Sequence, residues 1–277
     1  MAPDIVTSVQ KLVATDAHEG PVYAPDEDAL YFTSVPGPAV AIRRLDLASG
    51  AVTTLVEDAR AANGMTLGAD GRLIVCEQNP PAIARIDRRS GAREAVVEDA
   101  GLNSPNDVVE ASDGTIWFTD PSYGHLQGFR PPPAGGDNVY RFDPAGGCLS
   151  VVADDFDKPN GLAFSPDEET LYVNDSGVNQ EPGSYHPERP HHIRALNLAR
   201  GAEEVFAVID PGQPDGMKVD AAGRVYCSCA TGVQIFAPSG VRVGEIDLPG
   251  AVNFAFGADE AVLYITDDRG IWAAKGS

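Results

Sequence analysis

The sequence predicts an all-β fold, a six-bladed β-propeller with four antiparallel strands per blade, and three observations predict it. A motif of turn, short strand, polar turn and second apolar strand recurs six times. Its period, near ~45 residues, is that of a propeller blade. A surplus strand at the N-terminus matches a missing strand at the C-terminus. The motif is plainest at Lys158-Pro159-Asn160-Gly161-Leu162-Ala163-Phe164-Ser165-Pro166-Asp167, followed by Thr170-Leu171-Tyr172-Val173-Asn174-Asp175. Its openings align as Glu19-Gly20-Pro21, Asn63-Gly64-Met65, Asn106-Asp107-Val108, Asn160-Gly161-Leu162, Asp215-Gly216-Met217 and Asn253-Phe254-Ala255, with successive spacings of 44, 43, 54, 55 and 38 residues.

Taken in order, residues 6–14 alternate weakly and form a strand ahead of the first copy. Blade one uses 22–24, 29–34, 40–47 and 51–57, and blade two 65–67, 72–77, 82–87 and 92–98. Blade three uses 108–110, 115–120, 138–143 and 148–153; blade four uses 162–164, 170–174, 192–198 and 203–209. Blade five follows with 217–219, 224–229, 232–236 and 241–247. The sixth has 254–256, 262–266 and 270–274 and lacks a fourth strand, which 6–14 supplies. Ring closure of that kind removes exposed sheet edges. Ala69-Asp70-Gly71, Ser112-Asp113-Gly114 and Ala221-Ala222-Gly223 fall where hairpin loops belong. Because the repeats run almost end to end, residues 1–277 are read as a single domain.

With 20 Lys plus Arg against 41 Asp plus Glu, the net charge is −21. That charge repels polyanions, so nucleic acid and anionic membrane are excluded as partners. No run approaches the ~18 apolar residues of a membrane helix, and Met1–Gln10 shows no basic segment leading into an apolar one. A soluble, cytoplasmic protein is expected. The four cysteines, Cys76, Cys148, Cys227 and Cys229, lack zinc-type spacing and are read as small buried thiols.

The residue opening each copy is Glu19, Asn63, Asn106, Asn160, Asp215 or Asn253, and every one offers a hard oxygen. In a propeller the first strand of each blade lines the central shaft, so equivalent starts form a ring at one mouth. Oxygen donors converging from several blades suit Ca²⁺ or a similarly hard cation, and Glu19 and Asp215 would balance its double charge. Asn and Asp are also common before Gly in turns, which accounts for single copies but not for Glu19. Two long connections, 121–137 and 176–191, join second to third strands and would stand over that mouth as binding segments. The first carries Tyr123 and His125. His18, beside Glu19, is read as packing or supporting the ring, and His191-His192 as a polar strand start or a metal pair. There is no Gly-x-Ser-x-Gly elbow, Gly-rich phosphate loop or His-Glu-x-x-His motif.

Glu19-Gly20-Pro21, Asn63-Gly64, Asn103-Ser104-Pro105-Asn106-Asp107, Phe118-Thr119-Asp120-Pro121, Pro159 through Glu168 and Pro214 through Asp220 resemble the signature runs of the gluconolactonase, regucalcin (senescence marker protein) and luciferin-regenerating-enzyme group. The resemblance covers nearly the whole chain and is nearest to bacterial gluconolactonases. It implies a propeller with one catalytic divalent cation, Ca²⁺ or in some members Zn²⁺, Mg²⁺ or Mn²⁺. By position the family's ligands carry over to Glu19, Asn160 and Asp215, with Asn106 as a fourth ligand or a substrate contact. Substrate contacts are expected from Asn106, Ser104, Asn63, Tyr123 and His125, with Asn63 and Asn253 facing substrate or standing behind the ligands.

The chain departs from bacterial members at Thr33-Ser34-Val35, where an acid is usual, and at Gln78-Asn79-Pro80, where a His and basic residues are usual. Ser104 replaces the Arg of regucalcin-type members. These departures touch the substrate shell and leave the ring intact, so they bear on gluconolactone as the particular substrate more than on hydrolysis of a small, sugar-type lactone. In that chemistry the cation polarises the lactone carbonyl and Asp215 takes the water proton, a water acidified by the cation alone being the alternative. A phosphotriesterase or fluorophosphatase on the same ring, and a propeller that binds metal or ligand without turnover, are the other functions the pattern allows.

Overall fold

The computed structural model describes residues 8–181 and 183–275. Six four-stranded antiparallel sheets stand as blades in a ring. The chain enters through β1 (Ser8–Val13), then builds blade 1 from β2 (Val22–Ala24), β3 (Ala29–Thr33), β4 (Ile42–Asp46) and β5 (Val52–Val56). Blade 2 is β6 (Ala62–Leu67), β7 (Leu73–Gln78), β8 (Pro81–Ile86) and β9 (Arg93–Glu98). Blade 3 is β10 (Val108–Glu110), β11 (Ile116–Asp120), β12 (Asp137–Asp143) and β13 (Cys148–Phe156), and blade 4 is β14 (Pro159–Phe164), β15 (Thr170–Asp175), β16 (His192–Asn197) and β17 (Ala202–Val208). Blade 5 is β18 (Met217–Val219), β19 (Val225–Cys229), β20 (Gly232–Phe236) and β21 (Arg242–Asp247). Blade 6 has β22 (Asn253–Phe256), β23 (Val262–Thr266) and β24 (Ile271–Lys275), and β1 pairs with β24 as its outer strand, from Ser8↔Lys275 to Val13↔Ile271. The expected surplus strand therefore closes the ring; Val6 and Thr7, included in it, lie outside the described residues.

The burial pattern follows from blade packing. A second strand has a neighbouring blade on each face, so β3, β7, β11 and β19 are buried along their length and read as apolar runs such as Leu73-Ile74-Val75-Cys76. Outer strands such as β9 and β17 are mostly exposed. Buried side chains gather between successive blades: Tyr31 and Ile42 with Met65 and Val75, Ile83 with Phe118, Phe156 with Leu171, Ile193 with Met217, Ile235 with Phe254, and Phe32 with Ile271. The core is thus a circle of interfaces around the shaft, and each blade depends on both neighbours.

Two features at the mouth hold the opening residues. Residues 63–64 and 160–161 each sit in a β-bulge, since pairing shifts between Ala62↔Glu77 and Met65↔Val75, and between Pro159↔Asp175 and Leu162↔Val173. A bulge re-aims a side chain that regular alternation would turn into a blade. The end of the second strand in five of the six blades then reaches the next blade. Thr33 Oγ1 donates to the Asn63 carbonyl (3.3 Å), Thr119 Oγ1 to Asn160 (2.7 Å), Asn174 Nδ2 to Asp215 (2.5 Å), Ser228 Oγ to Val252 (2.5 Å) and Thr266 Oγ1 to the His18 carbonyl (2.6 Å). Blade 2 has Cys76 at this position, and the Gly64 N–H makes the link instead, to the Asn106 carbonyl at 2.7 Å.

Cys76, Cys227 and Cys229 are buried as expected, but Cys148 is exposed because it opens an outer strand. The connection expected to be a loop over 121–137 contains a one-turn helix, α1 (Tyr123–Leu126). Its N-cap makes no side-chain hydrogen bond, which is why no start signal marks it. Replacing Thr119 by Val keeps the shape but strips a donor from the Asn160 carbonyl and an acceptor from the Asp107 N–H (3.1 Å). Thr119→Val is expected to lower the urea midpoint of the cation-free protein by the equivalent of about 1–3 kcal/mol; an unchanged midpoint would show that these links carry no stability.

Candidate functional site

At one mouth of the shaft the opening residues converge. Asn253 Nδ2 donates to Glu19 Oε2 at 2.7 Å, and Asn160 Nδ2 donates to Asp215 Oδ1 at 3.0 Å. The two pairs act on one another, because the charge of Glu19 bears on the Asp215 carboxyl although blade 6 separates their blades. Glu19 is buried and Asp215 half-buried. Burial, and next the charge of Glu19, raise the Asp215 carboxyl well above the usual aspartate range, while the Asn160 hydrogen bond opposes the shift.

The approach of the blades depends on small residues behind the ring. A Cβ on Gly216 would lie 2.3 Å from the Asn253 side chain, and one on Gly161 would lie 2.3 Å from the Asp215 carbonyl. Any side chain there would push the ring open. Asn106 is buried, and its main chain is fixed by Thr119 and Gly64, but its amide makes no hydrogen bond among the described residues. Asn63 Oδ1 is likewise buried without a partner.

A third carboxylate lies in the shaft. Asp107 is 2% exposed, its Oδ1 accepts the Val108 N–H at 2.9 Å, and its Oδ2 has no hydrogen-bond partner. Burial raises it to about 6, the charge of Lys218 opposing and that of Glu19 adding. His18 Nδ1 meets Asp268 Oδ1 at 2.6 Å. Burial disfavours its charged form, but the Asp268 hydrogen bond and the Glu19 and Asp268 charges outweigh that and raise its pKa.

The connection after β11 folds over the mouth. Tyr123 on α1 is buried, with Ser176 and Asn160 as polar neighbours, although its hydroxyl completes no hydrogen bond. Burial, with the charge of Asp215, pushes its phenol up. Ser104 serves differently from the expected substrate contact: its hydroxyl donates to the Pro121 carbonyl (2.6 Å) and accepts the Gly124 N–H (2.9 Å), which pins the helix that carries Tyr123. His125 is exposed and makes no side-chain hydrogen bond among the described residues, so the structure does not bring it to the ring. His191 Nδ1 meets the Arg189 carbonyl at 2.8 Å, and His192 begins β16 opposite Asp175. The strand-start reading therefore accounts for both.

Beside the ring opens a cavity of about 560 Å³ lined by His18, Arg60, Asn63, Gln78, Asn79 and Phe129, among others. Among the described residues no three His, Cys, Asp or Glu side chains form a metal-binding group. The ring is instead two carboxylates with amides, an all-oxygen set. It fits a hard divalent cation, because two like-charged carboxylates call for positive charge and the buried Asn63 Oδ1 has no hydrogen-bond partner.

Residues 17–269 match the family model described as the SMP-30/Gluconolactonase/LRE-like region. A gluconolactonase of Zymomonas mobilis is 30% identical, over 97% of this chain and 81% of its own length. A solved gluconolactonase structure from Xanthomonas campestris superposes with a TM-score of 0.83 at 33% identity, covering 100% of this chain and 96% of that one. A regucalcin from Agrobacterium tumefaciens shares the fold at a TM-score of 0.77 and 20% identity, over 99% of this chain and 95% of its own.

The electrostatics of the ring set a stability signature. Asp215, Asp107 (about 6) and Asp120 (about 7) all have folded pKa values above the unfolded 3.8. Each stabilises the fold fully below the unfolded value, and that contribution is lost as pH rises through the folded one. Chelator-treated protein is therefore expected to melt lower as pH is raised from 4 toward 8. Asp215→Asn should melt a few degrees higher than the parent at pH 8 without cation. Equal or lower melting in the variant would show that the carboxylates are not in conflict.

Proposed function

The chain belongs to the SMP-30/Gluconolactonase/LRE-like family, and from that premise we propose that it hydrolyses a small, sugar-type lactone with one divalent cation held at the ring. The observation that carries the reading is the pairing of Glu19 with Asn253 and of Asn160 with Asp215 at one mouth, beside an open pocket. Similarity to lactone-hydrolysing relatives supports the reaction class, and the oxygen-only donor set supports a hard cation, Ca²⁺ first. Glu19, Asn160 and Asp215 would hold it, with Asn106 as a further ligand or a substrate contact. When bound, the cation supplies Lewis-acid polarisation of the carbonyl and charge stabilisation of the developing oxyanion.

The chain's own residues carry the remaining roles. Asp215 takes the proton of the attacking water, and the Asn160 amide fixes its orientation. The water oxygen bonds to the carbonyl carbon, the ring C–O bond then breaks, and the proton taken up by Asp215 passes to the departing oxygen, so one water is consumed. Tyr123 closes the mouth over Asn160 and excludes bulk water from the reacting group. The cavity wall offers amide groups at Asn63, Gln78 and Asn79, which can donate and accept, beside the flat face of Phe129. That lining suits a polyhydroxylated ring better than an alkyl chain.

Initial rates on a panel of aldonolactones, measured with and without chelator, test this. Turnover is expected on at least one pentono- or hexonolactone, to vanish with chelator and to return with Ca²⁺ or another divalent ion. Glu19→Gln and Asp215→Asn should each lower kcat by about 10²-fold or more. Undiminished rates in the double variant would remove the mechanism, and turnover of a paraoxon-type ester in preference to every lactone would redirect it to phosphorus.

A further inference from the structure

Among the six innermost strands, only β18 carries a basic residue, Lys218. Its Nζ lies 3.9 Å from Asp107 Oδ2, the carboxylate oxygen that has no hydrogen-bond partner. β10 belongs to blade 3 and β18 to blade 5, so this ion pair crosses the shaft in front of blade 4. Lys218 follows Asp215 by three residues, Asp107 follows Asn106 directly, and Asp107 interacts electrostatically with both Glu19 and Asp215. The shaft therefore holds three mutually interacting carboxylates and a single ammonium. Two negative charges remain, which one divalent cation neutralises.

Resting on the reading of the ring as a cation site, we propose that Lys218 is a resident counter-ion: it occupies Asp107 and so limits the shaft to one divalent cation. The physical reason is the enclosure of Asp107. A buried carboxylate that stays ionised without a positive partner is strongly disfavoured, so a cation held near it keeps it in the charged form. A tethered ammonium does this at every metal concentration, whereas an ion would leave at low concentration. A charge fixed so close to the ring also disfavours a second dication by direct repulsion. Lys218 is thus a positioning residue of the shaft and touches no substrate.

Calorimetric titration with Ca²⁺, combined with metal analysis after gel filtration, tests the proposal on the full chain. The parent is expected to bind one equivalent and Lys218→Met two, because Asp107 then joins the oxygen set. Lys218→Arg, which keeps the charge, should return to one, as should Lys218→Met combined with Asp107→Asn. A purely structural ion pair would shift melting temperatures while leaving one equivalent throughout, and that result overturns the proposal. Absence of Ca²⁺ binding in parent and variants alike overturns it together with the reading of the ring, whereas one equivalent in both overturns it alone. If Lys218→Met does not fold, Lys218→Gln, which can still hydrogen-bond Asp107, carries the same comparison.

Discussion

Repulsion at the mouth of the shaft is the constraint around which this structure is arranged. Glu19 comes from blade 1 and Asp215 from blade 5, yet the charge of the one raises the proton affinity of the other at the mouth. Left to themselves these groups would move apart or hydrate. They are kept together by a circle of apolar interfaces, by side-chain links from second strands to the next blade, and by glycines with no room for a Cβ. Asn160 and Asn253 partly offset the repulsion by giving each carboxylate an N–H. The scaffold thus holds like charges near one another at a cost to its own stability.

Much of this was legible in the residues. Strands 22–24, 108–110, 217–219, 232–236 and 262–266 match the observed bounds, because alternation and Gly-containing turns act locally. The closing strand was legible from a surplus at one end and a deficit at the other. The ring could be read because its members share one phase of a repeat, which places them at equivalent points of equivalent blades. First strands such as β6 and β14 begin earlier than expected, because bulges at 63–64 and 160–161 extend pairing backwards past the ring residue.

What escaped the sequence depends on contacts across the ring or on hydrogen-bond partners. Nothing local tells that Ser104 would hold a loop, that His125 would face solvent, or that Asp107 and Lys218 would meet across the shaft. A signal for the last did exist: Asp107 adjoins a ring residue, and Lys218 is the sole cation on an innermost strand. The links between blades also left a trace, in the hydroxyl or amide residue at Thr33, Thr119, Asn174, Ser228 and Thr266, at the same place in each second strand. Gln78 and Asn79, in the stretch expected to differ from bacterial gluconolactonases, line the pocket beside the ring.

The pairing of Ser8–Val13 with Ile271–Lys275 carries a consequence for biogenesis. While the chain emerges from a ribosome, its earliest described strand has no partner until the final hairpin has been made. The interface between blades 6 and 1, which includes Phe32 and Ile271, must also wait. Ring closure is thus a late event of very long sequence separation, and topology of that kind folds slowly. The half-built circle presents open β edges to its surroundings meanwhile, so the nascent protein is the form most exposed to aggregation and to chaperones.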